Sequence, residues 1–227
     1  MKYFELYRKK IKRFLDFELS FVALIFLWPI LLITALMVRL KLGHPVIFRQ
    51  ERAGKIDSRT GKELRFSLFK FRSMLDINGK DGEPLPDSER LTKFGKFLRA
   101  SSLDELPELI NILKGDMSIV GPRPLPTRYL PYYTKREHLR HSVRPGLTGL
   151  AQVSGRNELS WEDKFSYDLK YIEKLSFIND LKILLLTVKK VFVREGIGQG
   201  DQAPVSLHIE REDWLDKNGK IKEKYDK

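Results

Sequence analysis

The sequence contains no cysteine and only four histidines. Without cysteine there can be no disulfide, no thiolate metal site and no cysteine nucleophile, which is compatible with a reducing, cytosol-facing location. The sequence also has no Walker phosphate loop and no nucleophile elbow. We interpret all four histidines as non-catalytic, because none has other metal-ligating residues at a suitable spacing; they are His44, His138, His141 and His208.

Acidic residues are in deficit as well: 30 Asp and Glu stand against 42 Lys and Arg, which gives a formal net charge of +12 and a pI of about 9.7. Such a chain attracts polyanions, whether nucleic acid, anionic lipid or phosphorylated substrates. No nucleic-acid motif is visible, and aromatic residues do not interleave with the basic runs as stacking platforms would. We therefore expect no nucleic-acid partner.

One long stretch contains no charge at all. Residues 19–38, LSFVALIFLWPILLITALMV, have only Ser20 and Thr34 as polar side chains. Their number is close to the ~20 residues that a helix needs to cross a bilayer core. Lys and Arg residues flank the stretch on both sides, although such residues prefer the cytoplasmic face of a membrane. A simple crossing would place one of the two basic flanks on the wrong side.

Pro29, in the middle of this stretch, offers a way for both flanks to stay on one face. Proline removes a backbone donor and clashes with the preceding turn, so it kinks a helix. We therefore predict a re-entrant helix that breaks at Pro29 and leaves the membrane by the face it entered. A kinked single crossing is the alternative.

The remaining elements predict an α+β domain, mostly helical, with short strands. Residues 64–74 alternate as a strand, which places Lys70 and Arg72 side by side on one half-apolar face. These two residues form either a pair of solvated charges or an anion site. Helices are predicted over residues 90–100, 127–139, 161–176 and 179–194, with a second short strand over 117–120. The last helix has an apolar stripe and could be an interfacial amphipathic helix or pack on the core.

Two adjacent carboxylates, Asp104 and Glu105, begin a helix. The structural interpretation is a capping box, in which Ser102 caps the helix and Glu105 reaches back. The chemical interpretation is that a helix N-terminus keeps Asp104 ionised and attracts phosphate, so that Asp104 could attack phosphorus. Magnesium held by both carboxylates would relieve their repulsion of a diphosphate.

Several arginines could hold a phosphorylated substrate. Arg99 precedes the acidic pair by five residues, and Arg123 lies between two prolines that would orient its guanidinium. Arg144 and Arg156 enclose a loop with three glycines, through which backbone N–H groups could approach an anion. As a bare glycine-rich loop, this last pattern is a weak signal.

Taken in order, these segments resemble the monotopic phosphoglycosyl transferases of the bacterial sugar transferase family. The resemblance covers roughly residues 10–195 and rests on several motifs in fixed order: PVIFRQERAG (45–54), FKFRSM (69–74), LTKFGKFLR (91–99), SLDELP (102–107), GDMSIVGPRP (115–124) and RPGLTGLAQVSGR (144–156). The short N-terminus is similar to the family's minimal form.

The resemblance implies a two-step transfer in which Asp104 attacks the sugar-bearing phosphate of a UDP-sugar and releases UMP. Undecaprenyl phosphate would then take the phosphosugar from Asp104. Glu105 would assist through metal binding or acceptor positioning, with Mg²⁺ as the cofactor. The matched positions also imply a list of substrate-binding residues: Lys70, Arg99, Arg123, Arg156 and, as a weaker match, Asp168.

The residue patterns and the resemblance together predict three parts and a location. Residues 1–42 would form the basic-flanked re-entrant helix, 43–195 the catalytic domain on the cytoplasmic face of the bacterial inner membrane, and 196–227 a polar tail. The basic flanks would bind anionic lipids. One departure concerns Trp28, which stands where the family usually has a serine before the proline. This leaves open how the freed carbonyls at the break are satisfied.

Two other functions are compatible with the residues. Asp104 could act as a general base for direct transfer, without a covalent intermediate. Alternatively, the chain could be a non-enzymatic, membrane-tethered basic adaptor. The sequence does not specify which UDP-sugar is used, which glycan is begun (exopolysaccharide, capsule, O-antigen or glycoprotein) or the oligomeric state.

Overall fold

The computed structural model describes residues 6–79, 82–83, 85–155, 159–193, 205–217 and 219–226. The fold is α+β, with helices predominating over two small two-stranded sheets. The strands are β1 (Ile47–Ile56), β2 (Glu63–Phe71), β3 (Ser118–Val120) and β4 (Gly146–Thr148). The α-helices are α1 (Lys12–Leu42), α2 (Asp87–Arg90), α3 (Lys93–Ala100), α4 (Glu108–Lys114), α5 (Lys135–His138), α6 (Leu150–Ser154), α7 (Trp161–Glu173), α8 (Phe177–Val193) and α9 (Leu207–Glu210).

Helix α1 contains the long apolar stretch of the sequence. It has 31 residues, continues through Pro29 as one helix, and is by length and composition apolar enough to cross a membrane. At 1.5 Å per residue its length is about 46 Å. Its outer surface is covered by exposed apolar side chains, among them Phe14, Phe17, Phe21, Ile25, Phe26, Trp28, Ile33, Leu36 and Leu40. The break at Pro29 and the re-entrant path stay predictions.

The inner face of α1 is attached to the rest of the domain at both ends. Near its start, Asp16 accepts a hydrogen bond from the backbone N–H of Ile119 at 3.0 Å. Near its end, Val38 and Leu42 pack against Phe71. Partly buried residues between these points pack on a hydrophobic cluster formed by Phe66, Leu68, Leu109, Ile112 and Met117. One face of the helix therefore lies along the domain over most of its length.

The predicted strand over residues 64–74 is confirmed as β2, which pairs with β1 in an antiparallel hairpin. Ile47 pairs with Phe71 at one end, and the register is interrupted by an irregularity between Ala53 and Ile56. The predicted strand over 117–120 is confirmed as β3, which pairs in parallel with β4. These two sheets carry Lys70 and the segment that leads to Arg123.

The glycines of the 144–156 loop have a packing role that differs from the predicted anion-binding one. A Cβ on Gly146 would lie 2.1 Å from the nitrogen of Gly121, and a Cβ on Gly149 would lie 2.1 Å from its oxygen. The N–H of Gly146 donates to the carbonyl of Pro122 at 2.9 Å, so it is not available to an anion. Glycine is required here because two backbones approach each other closely.

The single helix predicted over residues 127–139 is wrong. The segment instead forms a 3₁₀-helix over Thr127–Tyr132, the short helix α5, and a second 3₁₀-helix over Leu139–Ser142. Pro131 has no N–H to donate and disfavours a continuous α-helix. Thr134 and Glu137 then start α5 as a capping box, with both reciprocal hydrogen bonds formed. The helices predicted over 161–176 and 179–194 are confirmed as α7 and α8.

Helix α8 faces both the core and the surface. Ile183 is fully buried, and the Asp180 carboxylate accepts hydrogen bonds from Tyr7 at 2.7 Å and Lys12 at 2.6 Å. Much of its apolar stripe is nevertheless exposed, namely Phe177, Ile178, Leu181, Leu185, Leu186 and Val188. Helix α8 therefore joins the start of α1 to the core and also presents an apolar surface.

The described residues beyond α8 dock on the domain. Leu207 is fully buried, and Arg211 forms ion pairs with Glu137 at 2.7 Å and with Glu162 at 2.9 Å. These contacts tie the C-terminal segment to α5 and α7. Part of the predicted polar tail is thus packed rather than free of the domain.

Candidate active site

The two adjacent carboxylates lie in a 3₁₀-turn between α3 and α4. Ser102 adopts a left-handed backbone conformation with φ of 55°, and its side chain makes no capping hydrogen bond. The predicted capping box at Ser102 is therefore wrong. Asp104 and Glu105 occupy the 3₁₀-helix Leu103–Glu105, and α4 begins only at Glu108, after Pro107. Both carboxylates are consequently free of a capping role.

Glu105 is bound by two cations that come from different parts of the fold. Lys70, near the end of β2, donates to Glu105 Oε1 at 2.6 Å. Arg123, which follows β3 and lies between two prolines, donates to the same oxygen at 2.8 Å. Lys70 also forms an ion pair at 3.1 Å with Glu108, which is almost completely buried. The carboxylate of Glu105 therefore holds the two cations together.

The neighbouring Asp104 is bonded differently. Its side chain is 8% exposed, yet within the described ranges its carboxylate makes no hydrogen bond and no ion pair. Arg99 is close enough to act on it electrostatically and donates its Nε–H to Ser73 Oγ at 2.9 Å. Asp104 is thus a nearly buried carboxylate surrounded by cations but not paired with one.

The pKa values of the three carboxylates follow from this arrangement. Burial, together with the charge of Glu105, raises the pKa of Asp104 to about 6, against the opposing effect of Lys70, Arg99 and Arg123. Burial would raise the pKa of Glu105 too, but Arg123 and Lys70 outweigh it and hold that pKa well below its usual range. Burial raises the pKa of Glu108 to about 7, although Lys70 opposes the shift. Because the groups interact strongly, they titrate as a set.

Three of the predicted substrate-binding residues make their hydrogen bonds outside the carboxylate cluster: Arg72, Arg144 and Asp168. Arg72 donates to the carbonyls of Leu42 and His44, at the C-terminal end of α1, where a cation also complements the helix dipole. Arg144 donates its Nε–H to the carbonyl of Gly115 at 2.7 Å. Neither contact involves the carboxylate cluster. Arg156 lies outside the described residues.

Asp168, the third of them, is connected to the cluster only indirectly. It forms a buried ion pair with Arg140, whose Nε and Nη2 donate to Asp168 Oδ2 at 2.9 Å and 2.8 Å. Arg140 Nη2 also donates to the backbone carbonyl of Arg123 at 2.7 Å. Asp168 therefore orients Arg140, and Arg140 holds the segment that carries Arg123.

Two residues of the cluster, Glu108 and Asn111, were not predicted from the sequence. Asn111 is fully buried; it accepts from the Phe69 N–H at 3.0 Å and donates to the Ser67 carbonyl at 2.8 Å. These bonds join α4 to β2 and fix Glu108 opposite Lys70. Glu108 follows Asp104 by four residues and Asn111 follows Glu108 by three, and this helical spacing was the signal that could have revealed them.

The residues are compatible with a magnesium ion that relies on substrate oxygens. Among the described residues, no group of three or more His, Cys, Asp and Glu side chains is arranged to hold a metal. Mg²⁺, however, is commonly bound by one or two carboxylates together with substrate phosphates. Asp104, whose carboxylate has no protein partner in the described chain, is the better available ligand, since Glu105 already accepts from two cations.

Comparison with known proteins identifies the family. The family model described as bacterial sugar transferase matches residues 7–194. The chain therefore belongs to the bacterial sugar transferase family. An uncharacterized sugar transferase, EpsL of Bacillus subtilis, is 51% identical over 189 residues, which cover 83% of this chain and 91% of that protein.

Two further relatives carry names that specify a reaction. A UDP-glucose:undecaprenyl-phosphate glucose-1-phosphate transferase of Klebsiella pneumoniae is 43% identical over 194 residues, covering 81% of this chain and 40% of that protein. An undecaprenyl-phosphate galactose phosphotransferase of Salmonella typhimurium is 36% identical over 204 residues, covering 82% and 41%. The chain spans about two fifths of the length of these two relatives.

Proposed function

We propose that this protein is a phosphoglycosyl transferase that moves a sugar 1-phosphate from a UDP-sugar to undecaprenyl phosphate. Family membership and the names of the relatives support the reaction class. The observation that carries the proposal is the nearly buried carboxylate of Asp104, which lies beside Lys70, Arg99 and Arg123 and has no hydrogen-bond or ion-pair partner among the described residues. Such a group can attack phosphorus while the cations bind the diphosphate.

In the first step, an Asp104 carboxylate oxygen attacks the phosphorus that carries the sugar. The bond from that phosphorus to the bridging oxygen breaks, and UMP leaves with the electron pair. In the second step, a phosphate oxygen of undecaprenyl phosphate attacks the aspartyl phosphosugar, and the Asp104 carboxylate is released. Arg123 and Lys70 would bind the diphosphate oxygens and reduce the charge that opposes a carboxylate attack.

Mg²⁺, held by Asp104 and Glu105 together with diphosphate oxygens, would add further charge neutralisation to the leaving UMP. Arg99 would bind phosphate on the α3 side of the cluster. This division of roles leaves Glu105 chiefly to hold Lys70 and Arg123 in place. The second oxygen of Glu105 accepts no hydrogen bond from the described residues, so it would be available for the metal or for positioning the acceptor.

We further propose that α1 enters and leaves the membrane on one face, with the catalytic domain at the cytoplasmic side of the inner membrane. The attachment of both ends of α1 to one domain supports this path. A straight crossing of about 46 Å would separate the ends by a bilayer, and the same domain could not contact both. The site would then act at the membrane surface, where a soluble nucleotide sugar and a lipid phosphate meet. The glycan that begins with this step is an exopolysaccharide, a capsule, an O-antigen or a glycoprotein glycan.

Single-turnover transfer tests the covalent mechanism. Purified enzyme is mixed with a panel of ³²P-labelled UDP-sugars without the lipid acceptor. We expect UMP release of up to one equivalent per enzyme and label retained on the protein. Asp104→Asn should abolish both, while the exposed Asp213→Asn should change neither.

The other outcomes identify the competing functions. UMP release that requires undecaprenyl phosphate, with no label on the protein, would indicate direct transfer with Asp104 as a general base. No UMP release with any UDP-sugar, with or without acceptor lipid, would indicate a non-enzymatic adaptor.

A further inference from the structure

A second cluster of cations lies at the beginning of α1 and surrounds an open cavity of about 40 Å³. A buried water needs only about 10–15 Å³ by the same kind of measure, so the cavity can hold a larger group such as a phosphate. Its lining includes five cationic side chains and a single carboxylate, that of Asp16. The cationic residues are Arg8, Lys12, Arg13, Lys55 and Arg144.

Two of the five cations are already satisfied by the protein. Lys12 pairs with Asp180 at 2.6 Å, and Arg13 donates to the carbonyls of Ile112 and Leu113 at 2.6 Å and 2.7 Å. Asp16, the only acidic group, accepts from the Ile119 backbone. The protein therefore supplies few acceptors to the remaining three cations.

Arg8, Lys55 and Arg144 each have N–H donors without an acceptor among the described residues. Lys55 makes no hydrogen bond and no ion pair with any residue that the structure describes, and Arg8 has only a 3.5 Å contact with Ser142 Oγ. Arg144 uses its Nε on Gly115, while its two terminal nitrogens have no acceptor in the same described ranges. Burial lowers the pKa of Lys55, and repulsion from Arg144 and Arg8 lowers it further. An anion between these groups would relieve that repulsion.

The cavity lies apart from the Asp104 cluster, because none of the residues around Asp104 lines it. Ser118 lines it from the first position of β3, whereas Arg123 follows the far end of that strand. The cavity also lies where the exposed apolar surface of α1 begins. Ile11 and Phe14, which are next to its lining residues in sequence, are 40% and 62% exposed.

We propose that this cavity is a second phosphate site, formed by Arg8, Lys55 and Arg144, which takes the headgroup phosphate of an anionic phospholipid. Its position supports a lipid rather than a soluble compound, since the acyl chains of a bound lipid would continue along the apolar side of α1. A free phosphate has the same chemistry and is the alternative source. The inference depends on the membrane association of α1 and not on the transferase reaction.

Thermal unfolding of the full chain in dodecyl maltoside micelles tests the proposal. Phosphatidylglycerol is titrated into the micelles, and phosphatidylcholine is titrated in parallel. Phosphatidylglycerol should raise the Tm of the unmodified protein more than phosphatidylcholine does, as expected for a ligand that binds the folded state. In Arg8→Gln/Lys55→Gln the titration midpoint should shift to about tenfold more lipid or beyond, since two charge-assisted contacts are lost.

A matched variant separates a site from general charge attraction. Lys10→Gln/Lys62→Gln removes the same charge from exposed positions outside the cavity lining: Lys10 lies two residues after Arg8 in the π-helix Tyr7–Ile11, and Lys62 lies in the turn between β1 and β2. It should respond to phosphatidylglycerol as the unmodified protein does, and Arg8→Lys/Lys55→Arg should retain the response. If the two Gln double variants respond alike, the proposed site does not exist.

Inorganic phosphate added to phosphatidylcholine micelles distinguishes the two sources. A phosphate effect as large as that of phosphatidylglycerol, and lost in Arg8→Gln/Lys55→Gln, would support the phosphate site but overturn its assignment to a lipid. No phosphate effect alongside a lipid effect supports the lipid assignment. Since the readout is stability, it is independent of whether the protein transfers a phosphosugar.

Discussion

Replacement of Asp168 by asparagine should destabilise the protein strongly and weaken substrate binding as a consequence. The side chains of Asp168 and Arg140 are 5% and 2% exposed, so water cannot compensate either charge. Arg140 donates twice to Asp168 and once to the carbonyl of Arg123. Asparagine keeps the shape of the side chain but leaves the Arg140 charge without a counter-ion.

The size of the effect follows from the burial of this pair. Removal of one partner from a buried ion pair costs about 3–5 kcal/mol, which for a protein of this size corresponds to a fall in Tm of roughly 6–20 °C. The double variant Arg140→Met/Asp168→Leu removes both charges and should recover much of that stability. It cannot recover the hydrogen bond to Arg123, so the KM for the UDP-sugar should stay raised while the Tm returns.

Circular dichroism melting in detergent measures the stability, and UMP release measures KM. The control is Asp226→Asn, because the Lys135–Asp226 pair has the same 2.8 Å separation but a Lys135 side chain that is 89% exposed. Water and salt screen such a pair, so its loss should barely change the Tm. Equal Tm changes in Asp168→Asn and Asp226→Asn would refute the reasoning. Normal KM in the double variant would refute the positioning role.

Three further predictions concern the carboxylate cluster and its support. The kcat/KM of UMP release should fall as the pH decreases through about 6, because attack requires ionised Asp104. A flat profile from about one pH unit below that pKa to about one unit above it would contradict this role. At pH values above the Glu108 pKa of about 7, Glu108→Gln should be more active than the unmodified enzyme, since ionised Glu108 competes with substrate phosphate for Lys70. Lower activity of the variant at those pH values would argue against such competition. Gly95→Ala should lower the Tm and raise KM, because its Cβ would lie 1.8 Å from the Ser73 carbonyl and displace the partner of Arg99; the exposed Lys96→Ala should change neither.

The sequence predicts those elements of the fold whose signals are local. Residues 64–74 alternate in hydrophobicity and form β2, and the apolar periodicity of residues 179–194 corresponds to α8. The failures arise where a contact distant in sequence decides the local structure. Ser102 matches a capping pattern but adopts a left-handed conformation, and Glu105 instead binds Lys70 and Arg123.

Contacts between residues distant in sequence also limit what the sequence predicts about the candidate site. The motif order places Lys70, Arg99 and Arg123 around Asp104, and the structure brings them together. Arg72 and Arg144 carry the same charge in similar motifs, but Arg72 donates to two backbone carbonyls and Arg144 donates its Nε–H to one, all outside the carboxylate cluster. Sequence pattern alone cannot show whether an arginine has already found its acceptor, because that acceptor is a carbonyl with no sequence signature. The buried Glu108 was missed for a similar reason, since its partner Lys70 comes from a distant strand.

The contrast between the two adjacent carboxylates explains how the site can gather cations without neutralising its nucleophile. Glu105 accepts from both Lys70 and Arg123, and these contacts lower its pKa. Asp104 shares their electrostatic influence but forms no hydrogen bond or ion pair with either, so its oxygens stay available in the described structure. If Asp104 were paired instead, a cation would have to be displaced before attack, and if Glu105 were absent, Lys70 and Arg123 would repel each other. Glu105→Gln should therefore raise the KM for the UDP-sugar while leaving Asp104 able to accept the phosphosugar, and UMP release at saturating substrate is the measurement that separates the two. Complete loss of the covalent step in Glu105→Gln would assign Glu105 a direct part in the chemistry.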